Sequence, residues 1–130
     1  MGNPDDRKYT KEHEWCKLEG ELATVGITDY AQHALTDVVF VELPEKGKQV
    51  EQNKQLCILE SVKHVSDVFA PVSGEVVEVN TGLESKPELL NKEPFGQGWI
   101  AKIRPSDKAQ LGGLMSAAQY DAFIEGKEKK

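Results

Sequence analysis

The chain has 130 residues, of which 38% are hydrophobic, and this suits one domain with a single compact core. Its 22 acidic and 16 basic residues leave a formal net charge of −6, which argues against binding to the phosphate backbone of a nucleic acid. No apolar run approaches the roughly 20 residues of a membrane helix and no signal or transit pattern is evident, so we expect a cytoplasmic protein, or a mitochondrial-matrix protein if the chain is a processed eukaryotic one.

The first part of the chain predicts strands around one short helix. Two alternating runs in EWCKLEGELATVGI break at Gly20, which indicates a β-hairpin. Thr28 or Asp29 can cap a short helix over TDYAQHAL, because a side-chain oxygen at that position accepts an otherwise unpaired backbone N–H. The β-branched and aromatic run from Val38 to Leu43 predicts a strand, and the chain then turns near Gly47.

The middle of the chain contains two similar phrases, GKQVEQN from Gly47 and GEVVEVN from Gly74, with LESVKHVSD between them. Residues typical of strands lie on both sides of a small polar centre, which predicts a hairpin with Lys63 near its tip. Each glycine opens a strand where the chain turns, and glycine tolerates a positive φ there. Two similar strand units joined through a hairpin can pack face to face as a flattened barrel or sandwich.

The last part of the chain predicts a strand between two helical segments. In SKPELLN, Ser85 and Glu88 have the spacing of a capping box, so we expect a brief helix there. The stretch FGQGWIAKI predicts a strand. In SAAQYDAFIEG, Ser116 and Gln119 form a second capping-box pair before apolar residues at helical spacing, and Gly126 is the predicted end of an amphipathic helix.

These elements together predict a mainly β fold with short helices and a C-terminal helix. We expect three segments along the chain: a flexible N-terminus at residues 1–7, a single domain at residues 8–126 and a solvated tail at residues 127–130.

The cysteines and histidines do not form a recognisable reactive or metal-binding pattern. Cys16 and Cys57 have neither the number of a disulfide framework nor the spacing of a zinc site, so we expect free thiols. His13, His33 and His64 are too scattered to specify metal coordination, and no metal is predicted. A thiol enzyme that uses either cysteine with a histidine remains the weakest functional class, because both thiols lie in apolar strand contexts.

The stretch ESVKHVSDVFAPVSGEVVEVN resembles the lipoyl-attachment region of the H protein family of the glycine cleavage system. YTKEHEWCKLEGELATVGITDYAQHALTDVVFVELPEKG and PFGQGWIAKIRPSD also resemble that family in order and spacing, so the similarity covers most of residues 8 to 125. The resemblance implies a lipoyl/biotinyl-carrier-like flattened β-barrel sandwich, lipoate attached covalently as lipoyllysine at Lys63, and no catalysis by the chain itself.

The resemblance also implies a function in glycine catabolism and one-carbon metabolism. The implied carrier shuttles an aminomethyl intermediate from glycine decarboxylase, a pyridoxal-phosphate enzyme, to a tetrahydrofolate-dependent aminomethyltransferase, and passes electrons to dihydrolipoyl dehydrogenase. A lipoylating enzyme is the fourth implied partner. An H-like protein that relays lipoate to other enzymes remains an alternative, and a biotin carrier is disfavoured because Val62 and His64 occupy positions where biotin carriers typically have methionine.

The same resemblance assigns roles to five further residues. Glu60 and Gly74 match positions associated with recognition by the lipoylating enzyme. Glu12, Glu14 and Asp67 match acidic positions in a cleft that shelters the loaded arm, where a carboxylate can hydrogen-bond a cationic amine. Ordinary solvation at the surface is the alternative interpretation of these acidic residues.

Overall fold

The computed structural model describes the backbone of residues 3–128 and the side chains of residues 3–126. The strands are β1 Lys8–Tyr9, β2 Glu14–Glu19, β3 Leu22–Ile27, β4 Val38–Glu42, β5 Gln49–Val50, β6 Gln55–Ser61, β7 Val65–Phe69, β8 Gly74–Val79 and β9 Ala101–Pro105. The helices are α1 Asp29–Leu35, α2 Gly82–Ser85, α3 Leu89–Lys92, α4 Ala109–Gly112 and α5 Ala117–Glu128. The ends of the predicted flexible N-terminus and of the predicted tail, at 1–2 and 129–130, lie outside the described residues.

The strands form two antiparallel sheets that share one core. Six strands lie in the order β1-β2-β3-β9-β8-β5, and three lie in the order β4-β6-β7. Both sheets contribute fully or nearly fully buried side chains to one apolar cluster, including Val25, Val76 and Ile103 from the first and Val41, Leu59 and Val68 from the second. The predicted mainly β sandwich is confirmed, and the described strands form two open sheets rather than a closed barrel.

The two repeated phrases pair with each other. β5 and β8 are antiparallel neighbours in the six-stranded sheet, with Gln49 opposite Glu75 and Val50 opposite Gly74. Gly47 has a φ of +91°, and its N–H donates to the carbonyl of Val76. The chain between the paired strands therefore leaves this sheet, forms the β6–β7 hairpin in the other sheet, and returns.

The helix caps predicted from local sequence are partly confirmed. Thr28 caps α1 by accepting the N–H of Ala31, and Ser116 and Gln119 form the reciprocal capping box that starts α5. The box at Ser85 was a wrong prediction, because Ser85 is the last residue of α2 and its hydroxyl donates to the Gly82 carbonyl. The predicted stop at Gly126 is also wrong, since α5 continues to Glu128. One interior glycine costs a helix only about 1 kcal/mol.

A second, smaller cluster attaches α5 to the six-stranded sheet. The rings of Tyr9 and Tyr120 stack with centroids 4.9 Å apart, and both residues are fully buried. The Tyr120 hydroxyl also hydrogen-bonds Thr28 Oγ1 and His13 Nδ1, each at 2.7 Å. The C-terminal helix is thus connected to the start of α1 and to the turn between β1 and β2. No helix within residues 3–128 has the length and apolar character needed to cross a membrane.

Candidate functional site

Lys63 lies in an exposed turn whose backbone is held by hydrogen bonds. β6 and β7 pair directly, and Val62, Lys63 and His64 connect them. Ser61 Oγ accepts the N–H groups of Lys63 and His64, at 3.3 and 3.0 Å, and the Ser61 N–H donates to the His64 carbonyl. The Val62 N–H donates to the Asp37 carbonyl at 3.0 Å. The predicted hairpin with Lys63 near its tip is confirmed. We call residues 61–64 the lysine turn. Its hydrogen-bonded backbone fixes the point from which the Lys63 side chain extends.

A cleft of about 510 Å³ begins beside the lysine turn. Its walls come from the β1–β2 turn, from α1 and from the exposed edge strand β7. It is lined by Glu12, His13, Glu14, Ile27, Ala31, Ala34, Leu35, Leu59, His64, Val65, Ser66, Asp67, Val68 and Phe69. This acidic cleft brings together all three carboxylates that the sequence analysis assigned to arm docking, and His64 extends it to the residue next to Lys63.

Glu14 is buried, although a residue that docks the arm was expected to be exposed. Its side chain is almost wholly buried, with 2% exposure. Oε1 accepts a hydrogen bond from Thr10 Oγ1 at 2.5 Å, and Oε2 accepts one from the backbone N–H of Phe69 at 3.1 Å. Burial raises the pKa of the Glu14 carboxyl to about 7, while the bonds from Thr10 and Phe69 oppose that rise. Glu14 can therefore gain or lose its charge near neutral pH.

Glu12 and Asp67 are exposed, and they line the acidic cleft from two different elements, the β1–β2 turn and β7. Glu12 lies in the turn between β1 and β2, which closes with a φ of +73° at His13. That conformation is uncommon outside glycine, and a bond of 2.7 Å between His13 Nδ1 and the Tyr120 hydroxyl helps to hold it. Asp67 Oδ1 accepts a hydrogen bond from the Gln55 amide at 2.7 Å. Both acids leave carboxylate oxygen lone pairs available to a cation in the cleft.

The two residues assigned to recognition by a lipoylating enzyme lie in different sheets. Glu60 is half-buried on β6, three residues before Lys63, and lies opposite Val65. Gly74 is buried at the start of β8 in the six-stranded sheet, where a Cβ would lie 2.1 Å from the Arg104 carbonyl oxygen. Glu60 is therefore partly accessible from outside, whereas Gly74 is covered where β8 closely approaches β9.

A larger cavity of about 640 Å³ lies beyond Glu12 and Phe69, which line both spaces. Its other walls are formed mainly by the segments around Tyr9, Asn53 and Leu114. Neither Glu14 nor any residue of the lysine turn lines this cavity. The smaller acidic cleft, which begins at the residue adjacent to Lys63, is therefore the candidate functional site.

The two thiols are unsuited to nucleophilic catalysis. Cys16 and Cys57 are both buried and unpaired, as expected from the sequence. Burial raises the pKa of the Cys16 thiol to about 12 and that of the Cys57 thiol further, so the reactive thiolate is disfavoured at neutral pH. Within the described part of the chain, no group of three or more histidine, cysteine or acidic side chains could hold a metal ion.

Sequence reasoning missed two parts of the site. The first is the apolar wall of the acidic cleft, formed by the face of α1 that carries Ala31, Ala34 and Leu35. The spacing of these residues indicates one helix face, but not what the face covers. The second is Ser61, whose hydroxyl organises the lysine turn. A serine just before a tight turn is a usable signal, because its oxygen can accept nearby backbone N–H groups.

Comparisons with known proteins give one consistent result over nearly the whole chain. The family model described as glycine cleavage H-protein matches residues 7–127. The glycine cleavage system H protein of Symbiobacterium thermophilum is 58% identical over 122 residues, which cover 94% of this chain and 95% of that protein. The H protein of Thermus thermophilus is 53% identical over 125 residues, which cover 96% of this chain and 98% of that protein. These matches confirm the family resemblance found in the sequence.

A solved structure supports the same relationship at the level of the fold. The crystal structure of a glycine cleavage system H protein from Mycobacterium marinum superimposes with a TM-score of 0.85 at 40% sequence identity. The match covers 92% of this chain and 97% of that chain. The similarity therefore extends over both sheets and is not confined to the segment around Lys63.

Proposed function

The chain belongs to the glycine cleavage H-protein family, and from that premise we propose that Lys63 is the residue that carries its lipoyl group. The protein is a lipoyl carrier of glycine cleavage and a component of that system, and it has no catalytic activity of its own. We propose further that Glu12, Glu14 and Asp67 dock the arm and that four individual enzymes are its partners.

The observation that carries this proposal is the position of Lys63 between a fixed turn and the acidic cleft. Its amine can accept an activated lipoyl group, with an amide bond forming between Nζ and the carbonyl carbon as the activating group leaves. Ser61 and Asp37 hold the turn, so the point of attachment is fixed while the lysine stem stays flexible. Tethering keeps a cargo at high local concentration around each active site that the arm reaches.

The residues of the acidic cleft fit such an arm. When bound, lipoate supplies a dithiolane that can be reduced and can hold a one-carbon unit through sulfur. Leu35, Ala31 and Ile27 offer an apolar wall against which an alkyl chain can pack. Glu12, Glu14 and Asp67 offer carboxylates to the cationic amine of an aminomethyl cargo. The cleft can therefore distinguish a loaded arm from an empty one by charge.

We assign the cargo route by the same proposal. The aminomethyl unit comes from glycine on a pyridoxal-phosphate decarboxylase and passes to tetrahydrofolate on an aminomethyltransferase, which releases ammonia. Dihydrolipoyl dehydrogenase then removes two electrons from the arm. Between these encounters the chain's own residues shelter the cargo from water in the acidic cleft.

Mass spectrometry tests the attachment directly. Unmodified protein is incubated with a bacterial lipoate–protein ligase, lipoate and ATP, and the product is examined by intact mass and peptide mapping. We expect one lipoyl group, located on Lys63, and none on Lys63→Arg, because a guanidinium does not form this amide. Lys54→Arg, a change at another exposed lysine near the hairpin, should leave the modification intact. A lipoyl group on any other lysine would refute the assignment.

A second measurement tests the cargo role. Lipoylated protein is mixed with glycine decarboxylase and labelled glycine, and the release of labelled carbon dioxide and the label held on the protein are followed. We expect both to require lipoylated Lys63. Full lipoylation without any glycine-dependent labelling would instead favour the lipoate-relay alternative.

A further inference from the structure

Four exposed apolar side chains lie in the lysine turn or beside it. Val39, Phe40, Val62 and Val65 expose 55%, 50%, 63% and 70% of their surface, and we call them the apolar patch. Among the described side chains, Leu18 on β2 is the one other large hydrophobic residue that is exposed. Exposed apolar side chains are ordinary when they are scattered, but a group of them beside a functional lysine indicates an interaction surface.

The sheet register places the apolar patch on one face. Phe40 lies opposite Glu60 and Glu60 lies opposite Val65, so these three side chains form one row across the outer face of the three-stranded sheet. The next row, Val41 and Leu59, points into the core and is buried. A bulge between Val38 and Phe40 interrupts the alternation, so that Val39 is also exposed.

The lysine turn continues this surface. Val62 directly precedes Lys63, and its N–H is bonded to the carbonyl of Asp37, one residue before β4 begins. The turn and the start of β4 therefore form one connected surface. Val65 starts β7 two residues after Lys63 and also lines the acidic cleft.

We propose that the apolar patch is the surface on which the enzyme that attaches lipoate to Lys63 docks. This inference rests on the proposed function. Before attachment, the reacting Nζ atom lies within the length of the Lys63 side chain from the backbone of the turn. An enzyme that brings an activated lipoyl group to that nitrogen must cover the residues next to it, whereas later partners can reach the end of a longer arm from a greater distance.

The charges around the apolar patch describe the partner surface. Glu60 is half-buried between Phe40 and Val65, and the following outward row carries Glu42 and Asp67 on either side of Ile58. The complementary surface is therefore apolar at its centre, with a cationic side chain opposite Glu60 and further basic groups toward its rim. Contact with the apolar patch supplies the affinity for the partner enzyme, and the acidic side chains orient that enzyme as it approaches.

Lipoylation kinetics test the docking surface. Initial rates with a bacterial lipoate–protein ligase, lipoate and ATP are measured over a range of acceptor-protein concentrations for the parent, Phe40→Ser and Val65→Thr. We expect KM for the acceptor protein to rise about tenfold in Phe40→Ser and less in Val65→Thr, with kcat within about twofold of the parent, because the lost contacts act in docking. Phe40→Leu, which keeps an apolar side chain, should restore most of the affinity.

Leu18→Ser is the matched control, since it removes an exposed apolar side chain outside the apolar patch. Its KM should equal that of the parent. Parent-like KM values in both patch variants would overturn the proposal, as would a shift in oligomeric state by size-exclusion chromatography without a change in KM, because the patch would then bind a second copy. Where Phe40→Ser does not fold, Val65→Thr decides, because threonine keeps the β-branched shape of a strand residue. A parent that is never modified at Lys63 would instead defeat the proposed function.

Discussion

The backbone N–H of Phe69 on β7 donates a hydrogen bond of 3.1 Å to Oε2 of Glu14 on β2. This bond joins the three-stranded sheet to the six-stranded sheet at the acidic cleft. A buried carboxyl group thus connects the two layers of the sandwich at the place where a loaded arm is expected to dock. Its protonation affects both the stability of the fold and the charge of the cleft.

Glu14 should make stability depend on pH in a defined direction. Its pKa rises from an ordinary value of 4.5 to about 7 in the folded protein, so the folded state holds this proton more strongly than the unfolded state. The resulting stabilisation is fully present below pH 4.5 and is lost as the pH rises through 7. Between those limits the parent should lose on the order of 3 kcal/mol relative to Glu14→Gln, whose side chain does not titrate. Urea unfolding of both proteins across this range measures the difference, and a constant difference would contradict the prediction.

Glu14→Gln should also shorten the lifetime of the aminomethyl cargo in water. A glutamine cannot offer a full negative charge to the cationic amine, and a hydrogen bond between charged groups contributes roughly 1.5–3 kcal/mol, so we expect the lifetime to fall about tenfold or more. The decay of labelled cargo on isolated lipoylated protein gives the lifetime, and lipoylation at Lys63 should be unchanged. The advantage of the parent should grow as the pH rises through 7, because Glu14 must be charged to act.

Glu45→Gln serves as the control for that lifetime, since Glu45 is exposed and does not line the acidic cleft. It should decay at the rate of the parent. Equal lifetimes in Glu14→Gln and the parent at every pH would remove Glu14 from the protection of the cargo.

Gly74→Val should destabilise the protein much more than Gly20→Ala. At Gly74 a Cβ would lie 2.1 Å from the Arg104 carbonyl oxygen, and residues with a side chain rarely adopt its φ of +157°, so the contact and the dihedral angle both disfavour valine. At Gly20 a Cβ would have no atom beyond the adjacent residues within 4 Å, but a φ of +63° disfavours alanine. We expect a loss of more than about 3 kcal/mol at Gly74 and about 1 kcal/mol at Gly20. Denaturant unfolding measures both, and equal losses would show that β8 can move away from β9.

Tyr120→Phe should loosen the attachment of the C-terminal helix. The change keeps the stacked ring but removes the buried hydroxyl that bonds Thr28 Oγ1 and His13 Nδ1. We expect a loss of roughly 1–3 kcal/mol in the free energy of unfolding, because buried polar partners are left behind. Tyr30→Phe, which keeps the ring against His13, is the control. A loss no larger in Tyr120→Phe than in Tyr30→Phe would argue against the prediction.

Features with a local physical cause were predicted well from the sequence. Thr28 and Ser116 act as helix caps because a hydroxyl beside a free backbone N–H needs no distant partner. The turn at Gly20 and the hairpin tip at Lys63 follow from short-range strand and turn chemistry. The same kind of reasoning failed at Ser85. Pro87 excludes the helical region for Lys86, which has φ −135° and ψ 66°, so α2 ends at Ser85 and a separate helix starts after Glu88.

Features that depend on distant partners were not predictable from the residues alone. Glu14 has the sequence context of an exposed strand end, and only the approach of Phe69 from the other sheet buries its carboxyl group. The short helix at Ala109–Gly112 was also not predicted: Asp107 accepts the Ala109 N–H at its start, and Ser73 stabilises its position by hydrogen bonds with the Gln110 side chain. The family resemblance named the acidic residues, but the shape of the cleft depends on how the fold places α1, the β1–β2 turn and β7 around one space.

The pairing of the two repeated phrases has a consequence for how the lysine hairpin opens and closes. Because β5 and β8 hold the chain at Gln49 and Glu75, residues 51 to 73 form a loop whose ends are already together before β6 and β7 pair. The entropic cost of closing this loop therefore does not recur each time the hairpin re-forms. We expect the hairpin to open more readily than the six-stranded sheet unfolds, although opening must break its pairing with β4 and its contacts in the shared core. Amide hydrogens of β6 and β7 should therefore exchange together, and earlier than those of β8 and β9.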